Sequence, residues 1–481
     1  MNLRSVFNFV GWALLILAAA MLVNALAGVI FQEFAAAWVF AQSAVLIGFL
    51  GAAFVLSTRS EGSAFDRQES YVFLVVIWPL LGVASALPLY LSAPAIGGYG
   101  SIFEAISGIT TTGATVFSSP EELLQSILLW RAITQWLGGF LTIVLVVVVL
   151  THLNIGGLEI FQNAIPAGEG GQLSERLLRT ARDLFPIYGV MTIACVFALI
   201  MSGMPGFDAL CHAMSTISTG GFSTHSQGIV AFPGIWIELS LMLFMIVGSV
   251  NFTLHWALLH GRWWLYGRNR EFKYLLMTIA GGLVVVPLFA GVVGELAFWT
   301  NFHHSVFAVV SMITTTGYFS TGNVTSLGVP VLLLAVLAIV GASTGSTAGG
   351  LKLLRFAILL KQAIRELRRL AHPHGVVNIK FGRQRLSENA IGSVWAYFFV
   401  LILVLAGSTL LVALSGVAVE TAMAASLAAL ANTGPVFAII DAGGYSSLPP
   451  ETKILLCIVM ILGRIELLAF FTLFNPFYWK N

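Results

Sequence analysis

Residues 312–321 read MITTTGYFST, and residues 108–117 read GITTTGATVF. Each places hydroxyls and a glycine at the end of an apolar stretch, in a chain that is 58% hydrophobic, 9% charged and +0.93 in mean hydropathy. No water-soluble fold hides that much apolar surface, so the solvent for most of this chain is lipid. A polar turn that recurs in lipid has to be explained by what it does to the backbone there.

A bilayer core about 30 Å thick requires about 20 apolar residues per spanning helix. Ten runs of that length occur, at about 8–30, 35–56, 71–93, 127–150, 184–204, 235–258, 274–299, 328–360, 391–415 and 452–474. The first follows Arg4 and ends in Ala25–Gly28, the outline of a secretory signal, but it is longer than a usual signal core and is expected to be retained as a span.

With the N-terminus inside, the inner loops take Arg4, Arg59, Arg67, Arg176, Arg179, Arg182, Arg262, Arg268, Arg270, Lys273, the nine Lys and Arg from Lys352 to Arg385, and Lys480. That is 20 of the 23 basic residues. Arg131 and Lys453 fall near outer ends of spans, and Arg464 falls within the last. Positive charge collects on the cytoplasmic side, so ten spans with both termini cytoplasmic are predicted. Glu33, Glu104, Glu121, Glu122, Asp208, Glu238, Glu295, Glu420, Asp441 and Glu451 fall outside. They read either as a mouth that concentrates cations or as ordinary solvated loop charge.

Cys195, Cys211 and Cys457 lie in or beside apolar segments without C-x-x-C spacing, which implies neither a disulfide framework nor a zinc site. There is no H-E-x-x-H, no G-x-S-x-G in a strand context and no Walker loop. His212, His225 and His255 read as polar packing or mouth residues rather than ligands or bases. The chain is not expected to be an enzyme, to carry an organic cofactor or to bind nucleic acid.

Between spans three and four, five and six, seven and eight, and nine and ten lie stretches too short to cross: about 101–111, 207–218, 303–315 and 421–432. As helices each reaches about 15 to 20 Å, half the membrane. Each ends in Thr-Gly, at Thr112-Gly113, Thr219-Gly220, Thr316-Gly317 and Thr433-Gly434, with glycines 107, 97 and 117 residues apart. The chain therefore carries four copies of one span, half-helix, span unit.

Backbone groups left unpaired at mid-depth cost several kcal/mol in lipid and survive only around a water-filled or ion-filled cavity. Four such loops about one axis would aim carbonyls inward in place of a monovalent cation's hydration shell. The glycines permit that backbone. Thr111, Ser218 and Thr315 can add ligands or brace the loops, and the helix C-termini, each about half a negative charge, favour a central cation.

Seven stretches carry a resemblance: SGITTTGATVF (107–117), RAITQWLGGFLTIVL (131–145), STISTGGFSTHS (215–226), NFTLHWALLHGRW (251–263), NREFKYLL (269–276), GASTGSTAGGLKLLR (341–355) and GRIELL (463–468). Over nearly its whole length the chain resembles the Trk/Ktr/HKT superfamily of potassium transport proteins, and within it the TrkH-type members. The resemblance implies an all-α polytopic membrane protein of ten transmembrane helices, with four channel-like helix, pore-loop, helix repeats around one pore. Residues 1–66 would be an N-terminal helix pair outside the pore, with repeats at 67–165, 166–268, 269–385 and 386–481. It implies a filter of Thr111, Thr112, Gly113, Ser218, Thr219, Gly220, Thr315, Thr316, Gly317, Asn432, Thr433 and Gly434, with K+ as the transported ion. These loops lack the second glycine of T-V-G-Y-G, the second reads TGGF, and the fourth diverges at Asn432 and Pro435. A simpler filter is expected, passing potassium and rubidium with weaker discrimination against sodium.

Two features read as gates. In the eighth span, Gly341, Ser343, Thr344, Gly345, Ser346, Thr347, Gly349 and Gly350 crowd four glycines and four hydroxyls into ten residues, a poor helix. It is either a small-residue packing face or a broken span whose loop blocks the pore, and the resemblance implies the second. Arg464 costs at least about 2.5 kcal/mol deep in a span, so a cavity or a partner acid is expected, and Glu466, two residues on, faces away. The resemblance places Arg464 in the pore beneath the filter.

The basic stretch 352–370 meets anionic lipid or, by resemblance, a cytosolic nucleotide-binding regulatory subunit of the KTN/RCK type. The resemblance also implies a homodimer in the cell inner membrane. An ion-coupled symporter is the rival of similar fold, though such transporters usually show inverted repeats and midplane acids.

Overall fold

The computed structural model describes residues 3–58, 67–150, 173–293, 298–322, 331–372, 379–381, 384–441, 443–465 and 467–474. Arg59, Glu295, Arg383, Glu466 and Lys480, which enter the sequence argument, lie outside them, as does the boundary between 165 and 166.

The described chain is helical. In order it runs α1 (Leu3–Ile30), α2 (Phe34–Ser57), α3 (Arg67–Ser92), α4 (Gly97–Ile109), α5 (Gln125–Leu145), α6 (Leu173–Met201), α7 (Gly206–Ile217), α8 (Ile235–Ser249), α9 (Phe252–Leu259) and α10 (Trp264–Arg268). It continues through α11 (Arg270–Val293), α12 (Phe298–Ile313), α13 (Val331–Val340), α14 (Leu353–Ala371), α15 (Glu388–Leu414), α16 (Val419–Leu430), α17 (Pro435–Ile440), α18 (Pro450–Arg464) and α19 (Leu467–Thr472). Among the described residues the only β structure is a two-residue antiparallel ladder that pairs Lys380 with Arg385 and Phe381 with Gln384.

Among the described residues, seven helices are long and apolar enough to cross a bilayer, and an eighth span is present if α8 and α9, bent by 97°, are taken together. The sequence reading of unbroken sixth and tenth spans is corrected by two breaks. After Ser249 the backbone is extended at Val250, and Asn251 restarts the helix by accepting from the Thr253 N–H at 2.9 Å, as an N-cap does. After Arg464 the chain is extended at Ile465 (φ −76°, ψ 139°). The break expected in the eighth run is present, between α13 and α14.

The short helices position everything else. Helix α4 touches α3, α5 and the distant α18, and α7 touches α6, α8 and α5. Helix α12 touches α11, α13 and α8, and α16 touches α15, α18 and α13. Each short helix thus lies between its own flanking helices and the last helix of the preceding unit, and the order closes on itself through α18 and α4. Small and polar side chains fill the centre, while Phe49, Leu243 and Phe399 on the outer faces are exposed, as lipid contact requires.

Helices α1 and α2 form a pair apart from this ring. They approach so closely at Gly11 and Gly51 that a Cβ on either would meet the other's carbonyl, the small-residue contact membranes favour. Their anchor is Glu33, whose carboxylate accepts from the Gln125 and Ser126 N–H groups at 2.7 and 3.0 Å. That carboxylate caps the positive end of α5, so Glu33 is a structural cap and not a free mouth charge.

Candidate functional site

All four short helices end in the same way. Thr111 N–H donates to Gly108 O and Thr112 N–H to Ser107 O; Thr219 and Gly220 repeat this to Thr216 and Ser215, Thr315 and Thr316 to Met312 and Ser311, and Asn432 and Thr433 to Ala429 and Ala428. This is the paired bond of a Schellman termination, whose turning residue is left-handed and usually glycine. Here the turning residues are Thr111, Thr219, Thr315 and Asn432, at φ of +50°, +52°, +58° and +51°. A β-branched residue there is strained, so its side chain must serve a purpose that glycine could not.

The pattern also corrects the register read from sequence. The second residue after each turn is Gly113 (φ +77°), Gly221 (φ +83°), Gly317 (φ +86°) and Gly434. The sequence alignment placed Gly220 beside Gly113, but the left-handed glycine is Gly221 and Gly220 matches Thr112. Ser218 accordingly matches Thr110, and its hydroxyl bonds back to Met214 O at 2.8 Å; Thr219 matches Thr111, the position the sequence reading gave to Ser218. The TGGF doublet fits two registers in sequence, and only the helix-terminating bonds choose between them. In the fourth loop Gly434 is right-handed (φ −55°) because Pro435 opens α17 there.

The loops touch in chain order. A Cβ on Gly113 would strike the Gly220 carbonyl, one on Gly221 the Thr316 carbonyl, one on Gly317 the Pro435 ring and one on Gly434 the Ala114 backbone. Gly434 N–H donates to Thr112 O at 2.6 Å, and Asn432 Nδ2 donates to Thr112 Oγ1 at 2.9 Å. The fourth loop therefore rests on the first.

Behind the loops, polar side chains hold the outgoing strands. Glu104 pairs with Arg131 at 2.7 Å and accepts from the Val116 N–H at 2.9 Å. Arg131 also donates to Ser223 O at 3.0 Å and lies over the Phe222 ring, which joins the first loop to the second. Asp208 accepts from Thr224 at 2.6 Å, His212 Nε2 meets Ser223 Oγ at 3.0 Å, His304 Nδ1 meets Ser320 Oγ at 2.8 Å, and Tyr445 donates to Gly434 O at 2.9 Å. Glu121 accepts from Ser226 N–H at 2.8 Å. Glu104, Glu121 and Asp208, read as outer loop charge, are bonded loop supports. Their partners lie 11 to 105 residues away, beyond what spacing reveals.

Residues 341–352 form an irregular loop directly beneath. Left-handed Gly341, Gly345, Gly350 and Lys352 turn it, and it settles into the α8–α9 elbow. Ser343 N–H donates to Ser249 O at 3.2 Å, Thr347 N–H to Gly248 O at 3.4 Å, and Phe252 N–H to Gly345 O at 3.1 Å. The broken sixth span leaves carbonyls unpaired, and this loop satisfies them. Thr347 Oγ1 bonds Ile217 O and Thr219 Oγ1 at 3.1 and 3.2 Å, and Gly349 N–H donates to Thr315 Oγ1 at 2.8 Å. Ser346 Oγ ties back to Ser343 O at 2.6 Å. From outside the loop the buried Glu271 accepts from Thr344 N–H at 2.5 Å. Sequence reading missed Glu271, although a carboxylate opening an apolar helix was a signal.

Arg464 is 8% exposed. Among the described residues no acid pairs with it: it donates to Thr110 O and Thr111 Oγ1 on one side, and to Thr347 O at 2.7 Å on the other. The strained threonines are thereby explained. Thr111, Thr219 and Thr315 each present a hydroxyl that holds either the 341–352 loop or the arginine beside it.

Polar backbone gathered on the axis of an apolar helical ring, closed below by a bonded loop and a buried cation, defines a membrane protein that handles cations. The comparisons agree. The family model TrkH, described as a cation transport protein, matches residues 37–481, and the chain belongs to that family. It is 34% identical to the Trk system potassium uptake protein TrkH of Salmonella typhimurium and to that of Escherichia coli K12, over all of each chain, and 31% identical to TrkG of Escherichia coli K12 over all of this chain and 99% of TrkG. The crystal structure of the potassium transporter TrkH from Vibrio parahaemolyticus superposes with a TM-score of 0.89 at 31% identity over all of both chains.

Proposed function

We propose that this chain takes up potassium through a gated pore made by four helix, loop, helix repeats around one axis. The observation that carries the reading is the ring of four identically terminated short helices whose glycine loops touch in order, with one bonded loop beneath them. Relatives named for potassium uptake support the choice of ion.

The filter is Thr111 to Gly113, Thr219 to Gly221, Thr315 to Gly317 and Asn432 to Gly434. Backbone carbonyls there replace part of the ion's hydration shell, and no carboxylate neutralises the ion. Below it, residues 341–352 obstruct the path and Arg464 adds a like charge that raises the barrier to cations. Opening requires the loop to leave Thr219, Thr315 and the elbow together. The ten-span arrangement has both termini cytoplasmic and lies in the inner membrane, so the loop faces the cell interior. There a nucleotide-binding regulatory subunit would act on it, and the pore-bearing chains would pair as homodimers.

The test is rubidium uptake into proteoliposomes under an imposed voltage, without a sodium or proton gradient. Uptake that follows voltage alone supports the pore. Uptake only with a co-ion would make the same loops the binding site of a symporter.

A further inference from the structure

The α8–α9 elbow leads into a segment that the pore leaves unused, HGRWWLYGRNR at 260–270. Helix α9 runs at 97° to α8, so the chain turns sharply at the elbow before it enters this segment. Its inward side is fixed: Phe252 is buried, His255 Nε2 meets Val247 O at 3.0 Å, and Tyr266 OH meets His255 Nδ1 at 2.6 Å. Gly261 (φ +75°) ends the helix and turns the chain into α10.

The outward side is apolar and basic together. Leu258, Leu259, Trp263 and Trp264 are exposed, Leu259 and Trp263 by 64% and 69%. Arg262, Arg268 and Arg270 are exposed beside them, and among the described residues no carboxylate pairs with any of the three. Indoles prefer the depth of lipid headgroups. A segment that exposes leucine and tryptophan beside arginine seats in that layer and is drawn to anionic lipid. A free phosphate would satisfy the arginines but not the exposed apolar group, so the chemistry selects a lipid.

We propose that residues 258–270 form a binding surface for anionic phospholipid headgroups of the inner leaflet, and that its occupancy steadies the elbow that holds the 341–352 loop. The link is short. Phe252 N–H, at the first residue of α9, bonds Gly345 O at 3.1 Å, and the Asn251 side chain packs against Gly345 so closely that a Cβ there would lie 3.0 Å from it. The consequence for flux rests on the gated-pore reading; the lipid contact does not.

The lipid contact is read by tryptophan fluorescence in phosphatidylcholine vesicles. The chain has 12 tryptophans, so the difference between wild type and Trp263→Phe/Trp264→Phe isolates the pair. Brominated phosphatidylglycerol should quench that difference more than brominated phosphatidylcholine at equal mole fraction. Replacing Arg262, Arg268 and Arg270 by Gln should lower the preference about fivefold per charge at low salt, and replacing them by Lys should retain it, which excludes misfolding. Equal quenching by both lipids, or a preference that survives the Gln substitutions, overturns the proposal.

Rubidium flux provides the second readout. It should vary with phosphatidylglycerol fraction in wild type and not in the Gln variant; dependence that persists in that variant overturns the link to the gate. If no lipid supports voltage-driven flux, the pore reading fails while the quenching result stands by itself.

Discussion

The guanidinium of Arg464 donates to the Thr347 carbonyl at 2.7 Å while the same side chain bonds Thr110 O and Thr111 Oγ1. One buried cation therefore joins the base of the first glycine loop to the loop that lies across the axis. Thr315 and Thr219 make the corresponding joints from the third and second loops. The 341–352 loop is held by residues that end the short helices, so release at one joint weakens the others.

Thr315→Val keeps the β-branched shape but removes the acceptor for Gly349 N–H. An orphaned buried N–H costs about 1 to 3 kcal/mol, and under the proposed gating this bond belongs to the closed state alone. Rubidium leak should rise about tenfold or more, while Thr315→Ser, which keeps the hydroxyl, should stay near wild type. Equal leak in the two variants would remove the latch role.

The glycine register has a direct consequence. Gly221→Ala places a Cβ against the Thr316 carbonyl at φ +83°, and the left-handed backbone alone costs about 1 to 2 kcal/mol. Gly220 has an ordinary φ, and the three atoms nearest its Cβ would all be of the Gln135 side chain. In potassium-uptake complementation Gly221→Ala should fail, whereas Gly220→Ala should be restored by Gln135→Ala. The reverse pattern would return the register to Gly220.

Glu104→Gln leaves the Arg131 guanidinium buried without its carboxylate, an expected loss of about 3 to 5 kcal/mol. A Glu104→Gln/Arg131→Met double variant should recover part of it. Thermal unfolding in detergent measures both, and a double variant no more stable than Glu104→Gln would show that the pair is not the support inferred.

The four half-length segments, their Thr-Gly ends and the break at 341–350 were legible in the sequence because composition changes sharply there. The elbow was not, since Ser249 and Asn251 are isolated polar residues between apolar flanks and a hydropathy window averages them away. Nor was the break after Arg464: Ile465 lies between Arg464 and Glu466, and those two charges were read as facing different sides of one continuous helix. Glu33 and Glu104 were legible as charges but not as supports, because nothing in their spacing marks partners that lie 11 to 93 residues away in the chain. The second glycine was misplaced for a different reason: a doublet carries no register until the preceding helix end is known.

Under the proposed function, a fixed charge and the loop it holds close a cation path. A unit charge about 8 Å from a passing ion, at an effective dielectric near 20, adds about 2 kcal/mol to the barrier, roughly a factor of 30 in rate. The most direct measurement is voltage-driven rubidium flux in proteoliposomes for wild type, Arg464→Lys and Arg464→Ala. The account predicts low flux in wild type, little change with Lys and a rise of about tenfold or more with Ala. Flux that is unchanged or lower in a folded Arg464→Ala protein would contradict it.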